Sequence, residues 1–155
     1  MSDDRTAIAN LIYRYGELVD AGDFAGVGRL LADARVRDAT GQLDLTGAEA
    51  IERLYVRTTR RYPDTGTPKT KHLITNLIVE IDEASASATC RSHYTVLQRT
   101  EALPLQTIIA GHYRHRLERR GSAWRIVEHV FHVDLVGDLG HHLLVDLDAA
   151  RRGGA

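Results

Sequence analysis

A histidine and an aspartate that lie far apart in the sequence could together form a general base. His72 lies in the segment Lys71-His72-Leu73-Ile74-Thr75-Asn76-Leu77, and Asp20 lies near the end of the first predicted helix. A carboxylate beside an imidazole fixes the imidazole tautomer and stabilises the imidazolium that forms when a proton is taken. If the fold brings the two residues together, the pair could remove a proton next to a carbonyl or a leaving group.

The composition is that of an ordinary globular protein of 155 residues, enough for one domain with its own core. The 20 basic and 21 acidic residues nearly cancel, so charge gives no reason to expect nucleic acid or a membrane surface as partner. Cys90 is the single cysteine, which excludes an intrachain disulfide and a zinc site built from cysteines. No apolar run reaches the roughly 18 residues of a membrane span. We therefore expect a cytoplasmic protein.

The first third of the chain is predicted to be helical. The first helix ends at Gly22, a short second helix follows Asp23, and a third begins after Thr46-Gly47 and carries Tyr55. A short extended segment over 35–38 separates the last two. The apolar positions of the first helix follow the i, i+3, i+4, i+7 spacing of an amphipathic helix: Ile8, Leu11, Ile12, Tyr15, Leu18 and Val19.

The second half alternates with the period of two that is typical of β-strands, over 72–82, 86–99, 105–119 and 123–136. Three sets are each predicted to share one face of their strand: Leu73, Thr75, Leu77, Val79 and Ile81; Ala88, Cys90, Ser92, Tyr94 and Val96; Leu105, Thr107, Ile109, Gly111 and Tyr113. In the last strand the apolar phase shifts, which predicts a bulge near Glu128. Helices followed by long antiparallel strands indicate an α+β fold, in which a curved sheet leaves a cavity against the helices.

The order of these helices and strands resembles that of the nuclear-transport-factor-2-like (NTF2-like) superfamily and, within it, of the SnoaL-like group. Four short motifs carry the resemblance, which covers roughly residues 5–140: Tyr15-x-x-x-x-Asp20-x-x-Asp23, His72-x-x-Thr75-Asn76, Gly111-x-Tyr113, and Gly121-x-x-Trp124-Arg125-Ile126. The resemblance implies a cone-shaped fold, with a strongly curved antiparallel or mixed sheet wrapped around the N-terminal helices. It also implies one domain over 1–148, followed by a flexible tail over 149–155.

Lyases of this group, among them scytalone dehydratase, lindane dehydrochlorinase and bile-acid dehydratase, pair a helix aspartate with a strand histidine. Asp20 and His72 match that pair, and Tyr15 matches the tyrosine of the bile-acid enzyme. The resemblance therefore implies a cofactor-independent lyase or isomerase for a small apolar cyclic or polyketide-like substrate. His72 would be the base and Asp20 its partner, and Tyr15 or a last-strand histidine would stabilise oxygen charge. It also implies a homo-oligomer, either a dimer or a trimer.

Four further residues are candidates for substrate binding: His129, His132, Tyr55 and Tyr94. On a regular strand His129 and His132 face opposite sides, so the sequence does not decide which one faces the cavity. The segment 137–142 could be a lid over the cavity or merely the chain leaving the sheet.

No metal or cofactor is expected, because the histidine pairs on strands diverge and no phosphate loop, dinucleotide fingerprint or metalloprotease motif occurs. Fold does not fix reaction. A non-catalytic ligand-binding or assembly module, a polyketide cyclase and an epoxide hydrolase therefore remain alternatives.

Overall fold

A computed structural model describes residues 3–146 of the chain. Within them, three helices and six strands follow one another in this order: α1 (Asp4–Asp20), α2 (Phe24–Leu30), β1 (Arg35–Asp38), β2 (Asp44–Thr46), α3 (Ala48–Thr58), β3 (Thr70–Asp82), β4 (Ser87–Gln98), β5 (Gln106–Arg120) and β6 (Ala123–Val136). The three predicted helices and four long strands are present. The short strand β2 was not predicted, and the tail over 149–155 lies outside the described residues.

The six strands form one mixed sheet in the order β2-β1-β6-β5-β4-β3. β1 pairs with β6 in parallel, and the other neighbours are antiparallel. The sheet curls without closing, and its inner face packs on α1, whose buried residues are Ile8, Ile12, Tyr15, Gly16 and Val19. The α+β prediction is confirmed. Within residues 3–146 no helix is long and apolar enough to cross a membrane.

Bulges decide which residues of the long strands face inward. The predicted bulge near Glu128 is confirmed, because Arg116 pairs with Glu128 while Leu117 pairs with Ile126, which leaves Val127 as the extra residue. The bulge adds one residue to one strand and so reverses the inward and outward phase beyond it. Val127 is accordingly buried next to buried Ile126.

Two of the predicted faces do not hold along the whole strand, and the reason is the same for both. In β3 the register shifts between Thr75 and Ile78, so Leu73 is exposed while Val79 is buried. In β5 the shift between Val96 and Leu97 of the partner strand leaves Ile108 as the extra residue, and Ile108 is buried while Leu105 is exposed. The face predicted for β4 is confirmed, since all its members are buried: Ala88, Cys90, Ser92, Tyr94 and Val96.

Apolar side chains remain exposed on the outer side of the sheet and at its ends, among them Leu73, Ile78, Leu105, Leu135 and Val136. A monomer would leave this surface in water. The homo-oligomer stays a prediction, which a mass measurement in solution would test.

Candidate active site

The last turn of α1 and the start of β3 bring Asp20 and His72 into contact. The Nδ1 atom of His72 lies 2.6 Å from Oδ1 of Asp20. The main-chain N–H of His72 donates to Oδ2 of the same carboxylate at 2.7 Å. One carboxylate thus binds both the ring and the backbone of one residue, which fixes the orientation of the imidazole. The side chains are 7% and 13% exposed, so water screens the contact little.

The charge of Asp20 needs this support because the carboxylate stands at the C-terminal end of α1, where the helix dipole disfavours an anion. Burial alone would raise the pKa of this carboxyl. The hydrogen bonds from His72 and from the Thr70 hydroxyl, which lies at 2.8 Å, together with the charge of His72, outweigh burial and bring the pKa below its ordinary value. An ionised carboxylate only accepts hydrogen bonds, so Nδ1 of His72 donates, and in the neutral form of the ring Nε2 carries the lone pair.

Gly16 lets β3 approach α1 closely at the dyad. A Cβ atom at this position would lie 3.1 Å from Cβ of His72 and 3.3 Å from Cδ1 of Ile74, closer than side chains normally pack. The glycine lies one turn before Asp20 on the same helix, and its hydrogen atom leaves the space that the histidine side chain needs. The sequence analysis did not single out this residue.

A cavity of about 600 Å³ lies between the helices and the inner face of the sheet. The wall includes His72, four tyrosines and Phe131, together with apolar side chains from α1, α3 and β4. A depression of about 570 Å³ on the other side of the dyad is bordered by Tyr13, Glu17 and Lys71. His72 is the residue that borders both.

The tyrosines of the wall form a hydrogen-bonded group around Tyr15. The hydroxyls of Tyr15 and Tyr55 lie 2.6 Å apart, and the Tyr15 ring packs edge-on against Tyr113. Burial raises the pKa of the Tyr15 hydroxyl, while hydrogen bonds from Tyr55 and Tyr113 lower it in part. Tyr94 stacks on Tyr113 and donates its hydroxyl to the main-chain carbonyl of His132 at 2.8 Å. Tyr15, Tyr55 and Tyr94, which the sequence singled out, therefore share one wall.

The two last-strand histidines lie in different places. His132 borders the cavity and its ring stacks on His112, which pairs with Asp134. His129 does not line the cavity: it is fully buried behind Tyr15, and its Nδ1 lies 2.8 Å from Nε2 of His115. Burial lowers the pKa of His129 to about 4.

One histidine of the wall, His142, was not among the predicted site residues. It follows the last strand, is buried and borders the cavity. Burial, and secondarily the charge of His72, lowers its pKa to about 4, against the opposing effect of Asp20. Its only signal in the sequence is weak, since His142 falls in the 137–142 segment whose role the residue pattern left open. Among residues 3–146, no group of three or more histidine, cysteine or acidic residues is placed to hold a metal ion.

The SnoaL-like domain family matches residues 1–130, and the chain belongs to that family. No curated protein matches the sequence. The motifs around Asp20 and His72 lie within the matched range. The family assignment therefore covers the helices, the dyad and most of the sheet, while His142 lies beyond it.

Solved structures share the fold. A protein of unknown function with a cystatin-like fold from Nostoc punctiforme superposes with a TM-score of 0.71 at 18% identity, covering 90% of this chain and 97% of that one. An NTF2-like protein from Novosphingobium aromaticivorans gives 0.68 at 24% identity, covering 98% and 89%. A candidate scytalone dehydratase from the same organism gives 0.67 at 18% identity, covering 87% of each chain. At these identities the likeness supports the fold and no particular reaction.

Proposed function

We propose that this protein is a lyase or isomerase that needs no cofactor and acts on a small, largely apolar cyclic substrate. The observation that carries the proposal is the 2.6 Å contact between His72 and Asp20 at the wall of an aromatic cavity. A histidine held by a carboxylate beside an apolar space is suited to remove a proton from carbon.

His72 would take the proton through Nε2, because Nδ1 is bound to Asp20. Asp20 would stabilise the resulting imidazolium and would itself stay ionised. The electron pair of the broken C–H bond would move towards a neighbouring carbonyl oxygen. Tyr15 would donate a hydrogen bond to that oxygen, with Tyr55 and Tyr113 donating to Tyr15.

The fold-sharing candidate scytalone dehydratase adds limited support, because it is a candidate for an elimination reaction. The volume of the cavity is in the range of small-molecule sites. A protein that only binds a ligand could have a cavity of this volume too. A catalytic test separates the two functions.

The first test uses a bicyclic ketone, tetralone, in heavy water, with exchange of its α-protons followed by NMR. The wild-type protein is expected to accelerate the exchange. His72→Ala is expected to reduce it by at least about a hundredfold, which is the lower end of what general-base catalysis contributes. His93→Gln, which changes an exposed histidine on the outer face of the sheet, is the matched control and is expected to retain the wild-type rate.

Exchange at the wild-type rate in His72→Ala would show that His72 is not the base. Tetralone binding without any exchange in the wild-type protein would instead favour the ligand-binding function.

A further inference from the structure

Two aspartates give the wall of the cavity a negative charge. Asp38 and Asp134 border the cavity, and no lysine or arginine among residues 3–146 lines it. An anionic group of a substrate would meet no cation there and would lie near these carboxylates, which costs free energy where water is partly excluded. A cationic group would be attracted by the same charges. The cavity therefore discriminates between substrates by their charge.

The three histidines of the wall do not cancel this charge. Burial lowers the pKa of His142 to about 4, and it also lowers the pKa of His132. Both rings are therefore neutral near neutral pH. His72 is hydrogen-bonded to the carboxylate of Asp20, so a proton on its ring leaves the dyad without net charge.

The register of β1 places Asp38 on the inner side of the sheet. Val36 pairs with His129, and both side chains are buried. Asp38 follows two residues later on the same strand and so faces the same way. Its partner on β6 is Phe131, which also lines the cavity. A carboxylate and an aromatic ring thus lie side by side at the wall, and each of them attracts an ammonium group.

Asp38 keeps its negative charge although it is partly buried. The hydroxyl of Thr40 donates to one oxygen of the carboxylate, and the main-chain N–H of Leu43 donates to the other at 2.9 Å. Burial alone would raise the pKa of the Asp38 carboxyl, and these hydrogen bonds bring it below its ordinary value. Both donors are uncharged, so they hold the carboxylate in place without neutralising it.

Asp134 adds a second negative charge from β6. Its carboxylate lies 2.7 Å from Nδ1 of His112, and its side chain is 49% exposed. Its charge still reaches the cavity, because the pKa of the Tyr94 hydroxyl is raised by burial and further by the charges of Tyr15 and Asp134. Solvent screens an exposed carboxylate, so we expect Asp38 to contribute more than Asp134 to the selection by charge.

Asp38 and the dyad lie on strands that are far apart in the sheet. His72 is on β3, at one edge, and Asp38 is on β1, with β4, β5 and β6 between them. The curled sheet brings both residues to the wall of one cavity. A substrate whose carbonyl lies near His72 and Tyr15 would therefore carry the group that Asp38 binds at its other end.

We propose that Asp38 and the adjacent ring of Phe131 bind an ammonium group of the substrate, and that this contact selects cationic substrates over neutral and anionic ones. The substrate class is thus a cyclic ketone that carries a protonated amine far from the carbonyl. The position of the carbonyl rests on the function proposed above. The preference for a cation is a property of binding, which can be measured without any reaction.

The test uses three tetralones that differ in one group on the aromatic ring, remote from the carbonyl. An aminomethyl group is cationic near neutral pH, a hydroxymethyl group is neutral, and a carboxymethyl group is anionic. Calorimetric titration gives the Kd of each probe, and NMR in heavy water gives the exchange of its α-protons. The variants are Asp38→Asn, which keeps an oxygen for the Leu43 N–H, and Phe131→Leu, which keeps an apolar wall. Glu80→Gln is the matched control, because it removes one negative charge from the exposed outer face of the sheet.

We expect the wild type to bind the aminomethyl probe about 10-fold more tightly than the hydroxymethyl probe, and the carboxymethyl probe about 10-fold more weakly. A partly exposed ion pair and a cation–π contact together are worth about one such factor. Asp38→Asn is expected to remove most of the preference for the cation, and Phe131→Leu to reduce it about threefold. Glu80→Gln is expected to keep the wild-type preference.

Equal affinity of the wild type for all three probes, or an unchanged preference in Asp38→Asn, would overturn the selection by charge. A preference that depends on Asp38, without α-proton exchange of any probe, would support the ammonium site and overturn the proposed function. Exchange of all three probes without any preference would have the opposite meaning.

Discussion

Two histidines buried in the core, His115 and His129, are expected to make the stability of this protein depend on pH. Their rings hydrogen-bond each other at 2.8 Å, and His115 Nδ1 and His129 Nε2 are buried without partners among residues 3–146. Burial lowers both pKa values, with the charge of the partner adding to the effect on His115. In the folded protein both rings are therefore neutral near neutral pH.

The lowered pKa values decide in which direction stability changes with pH. At a pH between the folded-state and unfolded-state pKa values, the unfolded chain binds more protons than the folded one. The stability that the neutral buried rings contribute is therefore present at neutral pH and is lost as the pH falls. For His129 the window runs from the ordinary value of 6.5 down to about 4. Lowering the pH from about 7.5 to about 5 then removes about 2 kcal/mol from the free energy of unfolding through His129 alone. The carboxyl pKa of Asp20 is lowered, so its contribution is lost below this window.

The measurement is urea unfolding at both pH values for the wild type and for a double variant, His115→Leu with His129→Phe. Replacing both residues avoids leaving one imidazole without its partner. The double variant is expected to lose at least about 2 kcal/mol less than the wild type on acidification, because it lacks both buried imidazoles whose pKa is lowered. His93→Gln is the control and is expected to keep the wild-type loss. An equal loss in the double variant and the wild type would refute the reasoning.

Two further predictions concern the dyad. Asp20→Asn is expected to lower the rate of tetralone exchange about 10⁴-fold with little change in fold. The amide N–H₂ group would face Nδ1 of His72 and leave the ring proton on Nε2, the nitrogen that must accept the substrate proton. A rate within tenfold of wild type would contradict the role of Asp20 as the partner of His72. Gly16→Ala is expected to slow tetralone exchange while changing the melting temperature little, because the new methyl group displaces His72 while alanine favours the helix. His72→Ala, measured beside it, gives the exchange rate without the base.

Much of the fold could be predicted because local signals agree with the tertiary structure. The apolar spacing of α1, the glycine at position 22 that follows its end and the alternation of β4 each have one interpretation. The strand β2 was missed because three residues, Asp44–Thr46, carry too little pattern to be distinguished from a loop. Its pairing with β1, and not its own sequence, makes it a strand.

In the candidate site, too, some residues could be predicted from the sequence and others could not. Asp20, His72 and Tyr15 could be named because each stands in a recognisable local motif. His142 could not, because its place depends on how the chain folds back after β6 onto the end of α3, through bonds such as that from Arg60. Gly16 was missed because a glycine within a helix shows its use only when the opposing strand is in place.

The bulge in β3 explains why one strand can serve both the site and the core. A strictly alternating strand that turned His72 inward would also turn Glu80 inward, and would expose Val79. The backbone at Asn76 has φ of 53°, a left-handed conformation that asparagine tolerates better than most residues. Beyond it the inward phase changes, so His72 and Ile74 face inward before the bulge, and Leu77 and Val79 face inward after it. The strand therefore places a polar base at the cavity end and apolar side chains at the packed end. Alternation alone could not have predicted both, because each half of the strand supports a different phase.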